Sequence, residues 1–183
     1  MSEHGSSPSA IWRARLTQSV DTFNQYRTQH PDETVMLAGE DLRSLNLPGV
    51  DLHRAVLFEA NLSWGSLENA NLEGADLRRC RLEGCNLAGA RLDGARMEYA
   101  NLRTARLRSA SLRAVTLLAG VFQGADLRDA LFDGASLRRV VFCDADLTGA
   151  AFKGADLEEA DLRWAKYEVA DMIDADLSRA RLR

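Results

Sequence analysis

The chain has 183 residues, 46% apolar and 27% charged, with a formal net charge of −4. That balance suits a single soluble domain, and no apolar run approaches a signal peptide or a membrane span, so a cytoplasmic protein is expected. The three cysteines do not make a disulfide framework, and His4, His30 and His53 are too isolated for a metal site.

Residues 1–6 read as a disordered polar tail. Ser7-Pro8 reads as an N-cap followed by Pro at the first helical position. Trp12, Leu16, Val20 and Phe23 then recur at helical spacing with Tyr26 near the same stripe, which predicts one short amphipathic helix. It should stop by His30, because Pro31 disfavours helical backbone in its predecessor. Residues 7–34 are therefore expected to be a capping helix and linker.

Val35 and Leu37 open a register of five that runs through residues 35–183. From Leu42 to Leu182 a large apolar residue stands at every fifth position, mostly Leu, with Phe122, Phe132, Phe142, Phe152, Met97, Tyr167 and Met172 as substitutes. Two residues before each centre sits a small residue, usually Ala. On an α-helix a period of five scatters the centres around the axis, and on a flat strand it alternates them between faces. Only a chain that turns every five residues keeps every centre inside. Gly74, Gly84, Gly89, Gly94, Gly124, Gly134, Gly149 and Gly154 all stand two after a centre, where a corner favours permissive backbone. Cys80 and Cys85 take the small inward position, whereas Cys143 falls at an outward one and should be exposed. Glu40, Leu45 and Val50 replace the small residue early in the run, which suggests a wider first coil fitted against the helix.

Runs such as Ala-Asn-Leu, Ala-Asp-Leu and Ala-Arg-Leu at this period resemble the pentapeptide repeat family, whose pattern is A(D/N)LXX. The resemblance implies an all-β solenoid: a right-handed, four-sided β-helix of about seven coils, one pentad per side, with a short N-terminal capping α-helix. It also implies a bacterial source. Residues twenty apart would stack, placing Phe122 on Phe142 and Phe132 on Phe152. Neither a cofactor nor a catalytic cleft is expected from a rod filled with Leu and Ala.

Two surface features stand out. Arg78, Arg79, Arg81, Arg91, Arg96, Arg103, Arg106, Arg108 and Arg113 face only Glu83, Asp93 and Glu98 within residues 78–113, a belt that an anionic partner could use. Cross-coil pairing with carboxylates is the simpler account of it, and without an aromatic stacking platform direct nucleic-acid binding is not expected. Leu118, Val121, Val141, Cys143 and Trp164 form an outward apolar cluster, a candidate surface for a protein partner. At the C-terminus the repeat runs into Arg181-Leu182-Arg183, so the last coil is either guarded by Arg179, Arg181 and Arg183 or covered by a second copy. The expected function is a non-enzymatic protein-interaction module. The alternative, drawn from the same resemblance, is a DNA-mimicking protein that binds DNA gyrase and protects it from quinolones or topoisomerase poisons.

Overall fold

The computed structural model describes residues 8–168 and 172–182. The expected polar tail, the Ser7 cap and Arg183 lie outside them.

Each pentad adopts the same local path. The residue before the centre forms isolated β-bridges to the neighbouring coils, the centre points inward, and the next two residues turn the chain. The turn closes when the following inward amide donates to the centre's carbonyl, as in Ala55 to Leu52 (3.0 Å) and Ala60 to Leu57 (2.8 Å). The second turn residue has positive φ, whether it is Gly74 (62°), Arg79 (57°) or Trp64 (63°). That left-handed backbone explains the glycines metered at this position. At Gly89 there is a second reason: a Cβ would lie 2.3 Å from Oδ1 of Asn69, one coil earlier.

The coils are joined by parallel bridges between residues twenty apart, from Met36 with Val56 through Asp161 with Arg181. A centre's amide donates to the carbonyl nineteen residues ahead (Leu57 to Asp76, 2.9 Å), and a bridging amide donates twenty-one back (Asp76 to Ala55, 2.9 Å). The chain is therefore a β-helical solenoid in which backbone groups on the sides are already paired with neighbouring coils. Pairing occurs as isolated bridges rather than as extended strands among the described residues.

The interior is filled by the centres. Leu57, Leu77, Met97, Leu117 and Leu137, twenty apart in one column, are all fully buried, and Ala75, Ala95 and Ala135 close the space between them. Phe122 stacks on Phe142 (centroids 5.3 Å, 4° between planes) and Phe132 on Phe152 (4.9 Å, 5°), while the two columns meet edge to face at 6.1–6.2 Å. Burying one centre contributes roughly 1.5–3 kcal/mol, against a backbone-ordering cost of roughly 5–10 kcal/mol for five residues. Stacking and the inter-coil hydrogen bonds must offset the difference, so no coil is stable alone.

The N-terminal segment corrects one expectation. It forms two helices, α1 (Pro8–Gln18) and α2 (Val20–Gln29), not one. Ser19 breaks them: its backbone is extended and its hydroxyl accepts from the Thr22 amide, which makes it the N-cap of α2. The apolar stripe crosses the break, so Trp12, Leu16 and Phe23 all join the core that contains Val35 and Leu37. α2 ends before His30, as Pro31 requires. Asn24 ties it to the solenoid by donating to the Gly49 carbonyl (2.9 Å) and accepting from the Asp51 amide (2.8 Å). Arg27, only 3% exposed, donates to the Glu33 carbonyl (2.5 Å) and reaches His53, whose Nδ1 lies 2.9 Å from Asp51 Oδ1. Among the described residues no helix is long and apolar enough to cross a membrane.

Leu127 is fully buried between stacked coils. Leu127→Asp would place an unpaired carboxylate there, at a cost of about 5 kcal/mol or more. The variant is expected to lose the cooperative thermal transition by circular dichroism; a melt matching the parent would contradict the inward assignment.

Candidate interaction surfaces

Residue spacing on the solenoid decides which charges meet. Side chains twenty apart sit on successive coils, roughly 4.8 Å from each other, within easy reach of an arginine. Five members of the belt use this to find carboxylates, Arg79 with Glu59 (3.3 Å), Arg91 with Glu73, Arg96 with Asp76 (3.8 Å), Arg108 with Asp129 (3.5 Å) and Arg113 with Asp133 (3.4 Å), while Arg78 pairs within its own coil with Asp76 (2.6 Å). Arg78 holds the Asp76 carboxyl below its ordinary range, chiefly through their hydrogen bond. Arg81, Arg103 and Arg106 have no ion-pair partner among the described residues. For Arg81 and Arg106 their columns explain why, whereas Arg103 has Glu83 twenty residues back but makes no ion pair with it. Arg81 is bridged by Asn61 and Asn101. Arg106 has Asn86 on one side and Asp126 on the other, and Asp126 is already held by Arg128 (2.6 Å). The belt is thus largely neutralised, with a free remnant on one side and its adjoining corner.

The apolar cluster is only partly assembled. Val121 and Val141 are bridged neighbours and half-buried, and Leu118 is half-buried around the adjacent corner. Trp164 is 69% exposed, its ring 5.1 Å from the Arg163 guanidinium. Asp161 and Arg163, paired at 2.7 Å, stand between Val141 and Trp164 and interrupt the patch. Cys143 does not behave as its outward register suggests: it is only 7% exposed. It is a short side chain in a column whose neighbours, Gln123 and Arg163, are long. Burial pushes its thiol pKa up, and the adjacent Asp161 carboxylate adds to that shift. Cys80 and Cys85 are buried as expected, with thiols pushed by desolvation to about 12.

Corner positions carry the largest exposed aromatics: Trp64 (63%), Tyr99 (56%) and Trp164. Trp64 lies flat over Gly84 on the next coil, where a Cβ would come within 2.2 Å of its ring. Sequence order hides its proximity to the belt, since it precedes Arg78 by fourteen positions yet shares a face with Arg81 and Arg103; a twenty-residue alignment of the coils would have revealed it. Tyr99 and Phe58 wall a shallow open groove of about 430 Å³ with Arg78, Arg79 and Glu98. Among the described residues no group of His, Cys, Asp and Glu side chains is arranged to hold a metal ion.

A family model of pentapeptide repeats matches residues 41–74, 75–113, 121–158 and 155–183. Among solved structures, a trypsin-treated form of QnrB1, a plasmid-mediated fluoroquinolone resistance protein, matches at 16% identity, covering 82% of this chain and 76% of its own, with a TM-score of 0.57. At that identity the likeness is one of fold. HetL, a pentapeptide repeat protein involved in heterocyst differentiation regulation from the cyanobacterium Nostoc sp. strain PCC 7120, is 30% identical over 82% of each chain, with a TM-score of 0.30. A pentapeptide repeat protein of the Arabidopsis thaliana thylakoid lumen is 21% identical over 74% of each chain, with a TM-score of 0.44. No curated protein sequence matches.

The burial of all three thiols makes a kinetic prediction. In the native state none should react rapidly with an aromatic disulfide reagent at neutral pH, and unfolding should release all of them. Arg163→Ala should uncover Cys143 and speed its modification about tenfold while leaving Cys80 and Cys85 slow. A rapidly reacting Cys143 in the unsubstituted protein would contradict its burial.

Proposed function

The chain belongs to the pentapeptide repeat family, and from that premise we propose that it is a non-enzymatic, protein-binding scaffold of the cytoplasm. In this reading the solenoid is right-handed and four-sided with about seven coils, α1 and α2 cap its N-terminal end, and a protein partner docks on the face carrying Val121, Val141 and Trp164. The observation that carries the reading is Trp164: a large ring, 69% exposed, on the same side as two adjacent valines. Such rings serve as anchors at interfaces because they desolvate a large area at little conformational cost. Non-enzymatic action is supported by the interior, which among the described residues is packed with buried Leu, Phe and Ala side chains.

Fold likeness to a fluoroquinolone resistance protein supports a second reading, in which the rod binds DNA gyrase as a mimic of duplex DNA. The free arginines Arg81, Arg103 and Arg106 count against it, because a surface built for phosphates would meet like charge at mid-rod. Purified protein is therefore expected neither to inhibit gyrase supercoiling nor to rescue it from a quinolone. It should instead capture a different protein, with Trp164→Ala or Val141→Asp lowering affinity about tenfold or more. Gyrase protection at near-equimolar concentration, weakened by neutralising acidic residues of 121–176, would reverse this ranking.

A second copy of the chain is proposed to cover the C-terminal coil. There Ile173 is 63% and Leu182 42% exposed, and Leu177 is only partly buried. Sedimentation should give a dimer that Leu182→Asp converts to monomer; a monomeric parent would remove this element of the proposal.

A further inference from the structure

The unpaired remnant of the belt and Trp64 share one corner. Arg81 and Arg103 lie on the face that leads to it and Arg106 just beyond it, two coils along. Trp64 lies against Gly84, one ring face on the glycine and the other open to solvent. On its N-terminal side the ring borders a groove of about 390 Å³ that also contains Arg13, Arg43 and Ser44. Asp41 is in that groove too, but Arg43 already satisfies it through two hydrogen bonds (2.8 and 2.7 Å). Glu83 stands between Arg81 and Arg103 and is the one opposing charge at the centre of the strip.

We propose that this strip binds a short stretch of single-stranded nucleic acid, with one base stacked on Trp64 and the flanking phosphates on Arg81, Arg103 and Arg106. Three features favour this occupant. The indole presents a flat, open face rather than the wall of a pocket, which suits a planar base and offers an aliphatic side chain little enclosure. The three guanidinium groups have no carboxylate to be displaced from, so their charge is available to phosphates without breaking an existing pair. The solenoid's sides have their backbone donors and acceptors occupied by adjacent coils, so an extended peptide would gain no added-strand hydrogen bonds there. Trp64, Arg81 and Arg103 lie on three successive coils, a span of about 10 Å at roughly 4.8 Å per coil, which limits the footprint to two or three nucleotides. The acidic surfaces before and after the belt would keep a longer strand from spreading along the rod. The strip lies on the same side of the solenoid as Val121, Val141 and Trp164 but nearer the N-terminus, since Arg81, Asn101, Val121 and Val141 form one column; the two surfaces use different residues.

The test is fluorescence anisotropy with a labelled oligothymidylate of about fifteen nucleotides at about 50 mM salt. The full chain is expected to bind it at micromolar concentration, with affinity falling as salt rises. Trp64→Ala should weaken binding about tenfold with an unchanged thermal melt. The double variant Arg103→Gln, Arg106→Gln should lower the salt slope by about 1.4, the release expected for two single-strand phosphates. Glu83→Gln should tighten binding. Equal affinity for a duplex of the same length would overturn the proposal, because a stacked base must leave its duplex. So would equal displacement by oligoglutamate, which would make the strip a general polyanion surface, or thymidine monophosphate binding as tightly as the strand. Absence of binding, or binding that Trp64→Ala leaves unaltered, would overturn it as well.

Discussion

The structure depends on one constraint: a backbone that turns after every fifth residue can satisfy its hydrogen bonds only on the coil before it and the coil after it. Amides of Leu57, Leu77 and Met97 all donate to carbonyls nineteen residues ahead, and the bridging amides of Asp76 and Arg96 donate twenty-one back. Among the described residues, backbone pairing within a coil is confined to the turn bonds. Each coil is therefore stabilised by its neighbours and by the stacked centres inside, and stability is shared along one dimension. The N-terminal helices enter this scheme through Trp12, Leu16 and Phe23, which extend the column of buried side chains past Leu37. Arg27 and Asn24 then supply polar anchors, so the orientation of α2 is set by directed bonds to the first coil as well as by apolar packing.

The same constraint divides the sequence into positions of very different freedom. Centres and the small residues before them are fixed by the interior: Phe122, Phe132, Phe142 and Phe152 fit only because they pile at one level, ring on ring. Corner residues have positive φ but face outward, so almost any side chain fits there if it bears the cost of left-handed backbone, roughly 1–2 kcal/mol for a non-glycine residue. Glycine avoids that cost, whereas Trp64, Tyr99 and Trp164 do not. A bulky aromatic at such a corner contributes little to the core and projects from the rod, which is why both candidate surfaces are built around corner tryptophans.

Most of the fold was legible in the sequence, because a period of five has few geometrical solutions and the glycines mark its corners. The buried centres and the inward Cys80 and Cys85 follow from register, and the two phenylalanine stacks from register together with the four-sided coil that the family resemblance implies. What register does not carry is the length of neighbouring side chains. Cys143 faces outward yet is buried, a short side chain whose neighbours twenty residues away, Gln123 and Arg163, are long. The break at Ser19 was hidden by an apolar stripe that continues across it. Arg27 is buried by its contacts with Glu33 and His53, partners that no helical periodicity indicates.

Charge follows the same logic of columns. An arginine can be held by an acidic neighbour twenty residues away, as Arg79 is by Glu59 and Arg113 by Asp133. An arginine between two asparagines, as Arg81 is between Asn61 and Asn101, has no such partner and keeps its full charge at the surface. Net charge along the sequence is consequently a poor guide to the potential a partner meets. The belt counts nine arginines against three acids within its own segment, yet carboxylates from the coils above and below neutralise most of it. What survives is a small cationic strip on one corner, and its position beside Trp64 follows from the coil length rather than from proximity in the chain.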